Sequence, residues 1–436
     1  MANVGVTRSD YVNVLVKDAR ENGILDVVAT GQGLISAFKK TTAIDVIRSL
    51  GGAPFKTQTP IRYQAPYGYK SHGPIGATAG VPYADATSSK MTMAEWIMMM
   101  DTFKYMFDDG LIAAGNKYTI KDHVQEVLTS GTELFNNIAD TKLHTGASGK
   151  ICLSGNAVLQ TIVVPNIYLF QGCEGMKVDI VAPAAAPVVH ADSVTISIVD
   201  IPNSTLTFIG NIATAVNTDY IMFEDSILTQ GSAACQYGVL DGIGTTDVDL
   251  IDTDSDLDYG GIDRVADVMA SYWKGKAETF ATRGFSFDEF DKYLFNLFIS
   301  CGKHTPDIAV MNEKVLSAVQ AQHRRDMTKV IGSRKALNED IQGLPYLWYG
   351  NELLLVLDEK VPGNRVAATV TDGEIWVLHT PTWELQQISP PKLDSSRTMA
   401  PDLTYPVHMS WLTWFWNFFT RTPNRNLRCS GIDVTK

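Results

Sequence analysis

The pattern of apolar and polar positions divides the chain into segments of helical and of extended character. Two short runs, Ile308–Met311 and Leu353–Leu357, are apolar at every position, as expected of strands covered on both faces. Asn312 follows the first run and is a good N-cap residue for a helix whose apolar stripe starts at Val315. These patterns predict a mixed α/β layer with its own core.

A hairpin is predicted next to these strands. Asp372-Gly373 is a strong signal for a two-residue turn, and it lies between the apolar segments Val366–Thr371 and Glu374–Leu378. We therefore expect these two segments to pair with each other.

Two long helical patterns stand out elsewhere. One begins at Thr119 and ends at Gly146, which makes it the longest predicted helix. The other has a capping box at Ser286 and Glu289, a hydrophobic staple between Phe285 and Phe290, and a stop at Gly302. Its expected buried face consists of Phe290, Leu294, Leu297, Phe298 and Cys301.

Extended structure is predicted in three regions. Residues 150–230 alternate like half-buried strands, and a Pro-, Gly- and Tyr-rich stretch after Phe55 is flanked by the extended segments Lys56–Gln64 and Met91–Phe107. We interpret that stretch as a long two-armed loop that lies on a neighbouring subunit. The aromatic run Trp411 to Phe419 fits either a helix or a buried strand.

The composition and net charge limit the functions that are possible for this chain. The chain has 436 residues, a mass of 47.8 kDa and a net charge of −12, which argues against a general affinity for nucleic-acid phosphates. A local exception is the basic segment around Arg324, Arg325 and Arg334. It indicates either a contact with a partner or a solvated loop.

Cysteine usage and the first residues indicate a cytosolic product. The five cysteines are Cys152, Cys173, Cys235, Cys301 and Cys429, and no C-x-x-C pair occurs, so we expect reduced and mostly buried thiols. The first four residues of the chain lack both a basic region and an apolar core of the signal-peptide kind.

Candidate chemistry is sparse. The sequence contains no phosphate-binding glycine motif, no nucleophile elbow and no zinc-binding helix motif. The acidic stretch Asp252-x-Asp254-x-Asp256 has calcium-loop spacing, but Leu257 replaces the required Gly and Asp263 the required Glu. We predict no catalytic residues, no cofactor and no metal site, although a triad assembled across the fold stays open.

Several stretches resemble the major capsid proteins of tailed double-stranded DNA phages, which share the Hong Kong 97-like capsid fold. "PDIAVMNEKVLSAVQ", "GLPYLWYGNELLLVLDEKVPGNRV" and "DGEIWVL" resemble the axial domain. "FQGCEGMKVDIV", "DSVTISIVDIPNSTLTF" and "NTDYIMFEDSI" resemble the β-barrel-like insertion of a subset of the family, although an immunoglobulin-like module has the same strand pattern.

The resemblance implies an α+β fold with seven parts. These are an N-terminal arm (1–52), an extended loop (53–107), the spine helix of the peripheral domain (108–150), a β-rich insertion (151–232), an acidic linker (233–260), an axial domain (261–378) and a C-terminal return to the peripheral domain (379–436).

The same resemblance implies a function in assembly. The chain would form pentamers and hexamers of an icosahedral head in the host cytoplasm and remain in the virion. Expected partners are other copies, a portal protein, scaffold and decoration proteins, and packaged DNA through weak contacts, with no membrane. Candidate contact residues are Tyr67, Lys70, Arg324, Arg325 and Arg334.

Two other functions stay open at this stage. One is an encapsulin, a nanocompartment shell that holds a cargo protein; encapsulins are generally shorter and lack such a β insertion. The other is a binding or adhesion protein built on residues 150–230. Secretion would favour the second function, and the start of the chain carries no secretion signal.

Overall fold

The computed structural model describes twenty stretches of the chain, and every statement about the fold concerns these. They are residues 34–42, 46–47, 56–64, 90–108, 133–147, 149–155, 157–182, 188–210, 212, 215–216, 219–224, 226, 235–244, 258–264, 273–326, 335–336, 342–361, 373–393, 400–401 and 407–434. Within them the fold is α+β, with three large sheets, and the helices pack against the sheets.

The first sheet is built on long strands from distant parts of the sequence. It contains β1 (Lys39–Thr42), β5 (Met99–Asp108), β21 (Trp383–Leu393), β22 (Ala400–Pro401) and β23 (Val407–Thr420). β23 pairs antiparallel with both β21 and β5. The aromatic run is therefore a strand, and its alternate residues Trp414, Trp416 and Phe418 are buried in one core.

The second sheet has seven strands and corresponds to the β-rich segment. It contains β6 (Lys150–Leu153), β7 (Ala157–Val158), β8 (Thr161–Val163), β9 (Lys177–Ala182), β10 (Val188–Asp200), β11 (Thr205–Ile209) and β12 (Tyr220–Phe223). Their order is β6-β12-β9-β10-β11-β8-β7, with antiparallel pairing throughout. Ile180, Ile196 and Phe208 lie in a core of its own beneath this sheet.

The third sheet, which we call the axial sheet, also has seven strands. Its order is β15 (Lys276–Arg283), β24 (Leu427–Ile432), β20 (Gly373–Leu378), β16 (Ile308–Met311), β19 (Asn351–Leu357), β18 (Gln342–Trp348) and β17 (Lys335–Ala336).

Both faces of the axial sheet are covered. Val310 and Trp376 belong to the core shared with the first sheet, whereas Met311 and Ile375 belong to a separate core on the other face. This confirms the interpretation of the continuous apolar runs.

Four helices are described: α1 (133–145), α2 (Val239–Ile243), α3 (Phe287–Ser300) and α4 (Glu313–Asp326). α1 ends at Gly146, as predicted, where φ is +87°; its predicted start at Thr119 lies outside the described residues. Phe135, Ala139 and Leu143 follow one another at four-residue spacing on the buried face of α1, in the core that contains Trp414 and Trp416.

The N-terminal caps predicted for α3 and α4 have different outcomes. The Asn312 side chain accepts a hydrogen bond from the Val315 amide at 2.9 Å, which confirms it as N-cap of α4. At α3, the staple between Phe285 and Phe290 is present, with ring centroids 5.6 Å apart. The capping box is wrong, because the Ser286 side chain caps no backbone amide.

Smaller elements complete the fold. Two small sheets are formed by β2 (Val46–Ile47), β3 (Lys56–Gln64) and β4 (Lys90–Ile97), and by β13 (Asp258–Tyr259) and β14 (Ile262–Asp263). Short 3₁₀ turns span Leu34–Ala37, Ile167–Phe170, Thr380–Thr382 and Pro423–Arg425.

Two expectations about the axial sheet need correction. β20 pairs with β16 on one side and β24 on the other, so Glu374–Leu378 has no free edge for the predicted hairpin; the other segment, Val366–Thr371, lies outside the described residues. The C-terminal segment 379–436, expected to return to the peripheral domain, also contributes strands to two different sheets. β23 joins the first sheet, whereas β24 lies between β15 and β20 in the axial sheet.

The short helix α2 depends on a glycine. A Cβ at Gly242 would overlap the indole ring of Trp383 and lie 3.2 Å from the Thr420 methyl group. Trp383 is fully buried between Phe38 and Phe418, so its ring has no free space in which to move.

We expect Gly242→Ala to destabilise the protein by about 1–3 kcal/mol through overpacking. Urea unfolding followed by tryptophan fluorescence measures this. Ser197→Ala on the second sheet serves as control, because its hydroxyl donates to the Thr207 carbonyl of the neighbouring strand β11. A Gly242→Ala protein as stable as the control would show that α2 can shift away from Trp383.

Candidate functional site

The candidate site is the ribbon formed by β3 and β4 together with its attachment to the body of the protein. The two strands pair antiparallel from Lys56↔Ile97 at the base to Gln64↔Lys90 at the far end. β2 adds a third strand only beside Lys56 and Thr57. Beyond that point the described sheet has two strands, and neither outer edge pairs with another described strand.

Trp96 attaches the base of the ribbon to the body. Its indole stacks on Phe419 of β23 at 4.2 Å with an interplanar angle of 7°, and it meets Tyr259 edge-on at 5.0 Å. The ring is fully buried, and its Nε1 donates to the Thr59 hydroxyl on β3. One side chain thus couples both ribbon strands to the first sheet and to the β13–β14 hairpin.

Polar bonds hold the same base in register. The Thr57 hydroxyl donates to Gln386 Oε1 of β21 at 2.6 Å, and the Glu95 amide donates to the Gly260 carbonyl at 2.8 Å. Within the ribbon, hydrogen bonds from Lys56 and Gln58 lower the pKa of the Glu95 carboxyl below its usual range. Gln58 faces Glu95 directly across the ladder, and Lys56 is its diagonal neighbour.

Asp101 connects the ribbon to the body from β5, the strand that follows it. Its carboxylate accepts bonds from Lys142 Nζ on α1, from Gln236 Nε2 at 2.8 Å and from Trp416 Nε1 at 2.7 Å. Burial lowers the pKa of Lys142 most, but the interactions with Asp101 and Cys235 together more than offset it, so the pKa is raised. Lys142 is therefore charged and fixes α1 against the first sheet.

A second ionic group joins α1 to the axial sheet and the second sheet. Lys360, just after β19, lies 3.0 Å from Asp140 Oδ2 and donates to the Thr141 hydroxyl at 3.3 Å. That hydroxyl also donates to the Leu169 carbonyl at 2.7 Å. Burial lowers the pKa of Lys360 most, but the interactions with Asp140, Cys173 and Asp358 together more than offset it, so the pKa is raised.

His144 is the titratable centre of this junction. Its Nε2 lies 2.9 Å from Asp358 Oδ2, and its Nδ1 lies 2.8 Å from the Asp140 carbonyl oxygen. Because both ring nitrogens face acceptors, both must carry protons, so the ring is an imidazolium. Burial lowers the pKa of His144, but Asp358 outweighs burial and raises it; the same pairing lowers the pKa of Asp358.

The residues proposed from the sequence as contacts do not meet in one described site. Tyr67, Lys70 and Arg334 lie outside the described residues. Arg324 and Arg325 lie on the last turn of α4, and their side chains are also outside the described part.

The anchoring residues Trp96 and Asp101 were not predicted from the sequence. Trp96 stands in an apolar stretch, Met93 to Met100, where nothing distinguishes an anchor from other buried residues. Asp101 did carry a signal, since it is the one acidic residue between Glu95 and Asp108.

The described residues offer little other chemistry. No group of three or more His, Cys, Asp or Glu side chains could hold a metal ion in the described stretches. Among the helices described, none is long and apolar enough to cross a membrane. All five cysteines are free and buried, as expected. Burial raises the pKa of Cys173 and of Cys235 to about 11, which keeps these thiols protonated at neutral pH.

No protein-family model matches the sequence, and neither does any curated protein. Solved structures match its fold. The encapsulin of the holo-SrpI complex from Synechococcus elongatus PCC 7942 aligns over 92% of this chain and 88% of its own, with 9% identity and a TM-score of 0.42. A chain of the cyanophage A-1(L) capsid asymmetric unit aligns over 87% and 88%, with 10% identity and a TM-score of 0.45.

A chain of Mycobacterium phage Patience aligns over 98% of this chain and 90% of its own, with 7% identity and a TM-score of 0.40. The matched structures are mainly phage capsid proteins, and the three TM-scores lie between 0.40 and 0.45. At these identities the likeness concerns the fold alone.

Replacing Trp96 tests the attachment of the ribbon. We expect Trp96→Ala to cost about 3–5 kcal/mol, because it leaves a cavity among Phe419, Tyr259 and Trp273. Amide hydrogen exchange should rise most in β3 and β4. Met93→Ala is the matched control on β4, since Met93 is 45% exposed. Equal exchange in both variants would contradict the role of Trp96.

The His144–Asp358 pair predicts a pH dependence. The folded-state pKa of His144 is raised above its unfolded value, so its contribution is present at pH 6 and is lost as pH rises through the folded value. The difference in unfolding free energy between wild type and His144→Gln should shrink from pH 6 to pH 9. Asp358→Asn should remove the same slope. A constant difference across this range would contradict the imidazolium assignment.

Proposed function

We propose that this chain is a shell-forming subunit, the major capsid protein of a tailed double-stranded DNA phage. Many copies, grouped in pentamers and hexamers, would close an icosahedral head around the genome. The role is structural, and the proposal assigns the chain no catalytic activity. Portal, scaffold and decoration proteins are its proposed partners besides further copies of itself.

The observation that carries this proposal is the β3–β4 ribbon. A two-stranded ribbon is only marginally stable by itself in water, yet this one continues to Gln64↔Lys90 beyond the Trp96 anchor. It also carries the 25 residues from 65 to 89 between its strands. Beyond Glu95, whose amide donates to the Gly260 carbonyl, neither outer edge of the ribbon pairs with a described strand, so both edges offer backbone donors and acceptors to another chain. A neighbouring copy provides such a surface repeatedly in a closed shell.

The body of the protein supports the same function. Trp96, Asp101 and Lys360 fix the ribbon, α1 and the three sheets to one another through buried contacts. A shell needs subunits of constant shape, because small errors in the angle between neighbours accumulate around the surface. A rigid body with an extended ribbon meets this requirement.

Charge supports a passive relation to packaged DNA. With a net charge of −12, the subunit repels a phosphate backbone on average, so contacts with the genome would be weak and local. This is useful in a container whose content must enter and leave.

Assembly can be measured directly. The chain should be expressed alone and with candidate scaffold proteins, and then examined by sedimentation velocity and negative-stain electron microscopy. We expect closed shells or ring-shaped capsomers that sediment far faster than a 47.8 kDa monomer. A monomer under every condition would contradict the proposal. Nucleic acid in particles recovered from infected cells supports a phage head, whereas a protein cargo would indicate an encapsulin.

The role of the ribbon can be separated from folding. In one variant, residues 65–89 are replaced by a two-residue Asn-Gly turn, which closes the ladder after Gln64↔Lys90. We expect unchanged circular dichroism and urea stability but no closed shells. The matched control replaces the exposed β7–β8 turn residues 159–160 with the same Asn-Gly turn. Shell formation by this variant would refute a role for residues 65–89 and leave the strand edges of the ribbon as the contact with a neighbouring copy.

A further inference from the structure

Three basic side chains meet where the first sheet and the axial sheet join. His304 lies on the segment between α3 and β16, His379 directly follows β20, and Arg425 lies on the 3₁₀ turn between β23 and β24. Arg425 Nη2 is 2.9 Å from His304 Nε2, and Arg425 Nη1 is 3.5 Å from His379 Nε2. The two imidazole centroids are 6.1 Å apart.

The guanidinium of Arg425 has no carboxylate partner within the described residues. Its neighbours along the chain differ, since Arg421 pairs with Glu384 at 2.8 Å and Arg428 pairs with Glu374 at 2.6 Å. The acid near the cluster is Asp307, but both of its oxygens accept bonds from Thr380, one from the amide and one from the hydroxyl. The Arg425 guanidinium therefore contacts two imidazoles instead of a carboxylate, in a protein whose net charge is −12.

The protonation of the cluster follows from its hydrogen bonds. Both Nε2 atoms face a guanidinium, which only donates, so both must be unprotonated. Burial and then the Arg425 charge lower the pKa of His304. The pKa of His379 is also lowered. Burial is the largest cause, the charges of Arg425 and His304 lower the pKa further, and the charge of Asp307 partly offsets them. The Cys301 thiol beside His304 stays neutral, because burial raises its pKa.

We propose that His304, His379 and Arg425 form a binding site for a tetrahedral oxyanion such as phosphate. An anion at the guanidinium edge lies within reach of both rings, since each Nε2 is within 3.5 Å of Arg425. Once protonated, the two rings change from acceptors to donors, so that the Arg425 fork and both Nε2–H groups can bind anion oxygens.

Access and pH dependence fit this assignment. His304 is exposed and the other two side chains are half-buried, so the cluster opens to solvent on one side. Without an anion, protonating either ring places like charges together and breaks its bond to Arg425. Binding should therefore strengthen as pH falls from 8 to 6. The anion has two sources, a free ion or a backbone phosphate of nucleic acid. The site is independent of the proposed shell function.

Calorimetric titration of the full chain with sodium sulfate and with sodium phosphate, at constant ionic strength in chloride, tests the site. Sulfate is included because its charge is the same at pH 6 and pH 8. We expect sulfate and phosphate to bind at pH 6 and to bind more weakly at pH 8. The Arg425→Gln substitution should weaken binding at pH 6 about tenfold or more, because charge-assisted hydrogen bonds are lost. Arg421→Gln, whose guanidinium already pairs with Glu384, is the matched control and should bind as wild type does.

A second variant protects the test against misfolding. His304→Gln changes an exposed side chain and should weaken binding and flatten its pH dependence, even if Arg425→Gln fails to fold. A short single-stranded oligonucleotide that competes with sulfate identifies nucleic-acid phosphate as a source. Competition by phosphate but not by the oligonucleotide identifies a free anion. No binding, or binding that neither variant changes, would overturn the proposal.

Discussion

Burial of the axial sheet on both faces is the constraint on which the rest of the structure depends. Along β16 and β20, one set of alternate side chains packs toward α3 and α4, and the other set packs toward α1 and the first sheet. A strand of this kind has no solvent face, so a change of register by one residue would disturb two cores at once. The relative positions of the sheets follow from this arrangement rather than from any single bond.

Buried charges then specify how the elements meet. Apolar packing alone would leave α1 free to slide or rotate slightly on its sheets. Lys142 on Asp101 and Lys360 on Asp140 each have one preferred position, because an unpaired charge at these sites would be expensive. Such pairs contribute more to a unique geometry than to net stability. In this protein they lie at the points where one helix touches all three sheets.

Much of the fold was predictable where local pattern and tertiary environment agree. The apolar runs at Ile308 and Leu353, the Asn312 cap and the Phe285–Phe290 staple each depend on residues close in sequence. The hairpin at Asp372-Gly373 failed because β24, from far along the chain, occupies the edge it required. Ser286 occupies the N-cap position of α3 as predicted, but its side chain does not make the hydrogen bond of a capping box. Trp96 and Asp101 act through partners more than 300 residues away in sequence, such as Phe419 and Trp416, and no local pattern contains that information.

The position of β24 has a consequence for the order of folding. β24 lies between β15 and β20 in the sheet. Lys276 of β15 pairs with Leu427 of β24, which comes 151 residues later in the sequence. Until this segment is available, β20 has one unpaired edge and β15 has no partner strand at all, and contacts of such long range form slowly. The axial sheet is therefore completed late, after the ribbon has been made. A nascent chain at that stage carries a ribbon but lacks a finished body, so cells that produce many copies at once need either rapid closure of this sheet or a chaperone that covers its open edges.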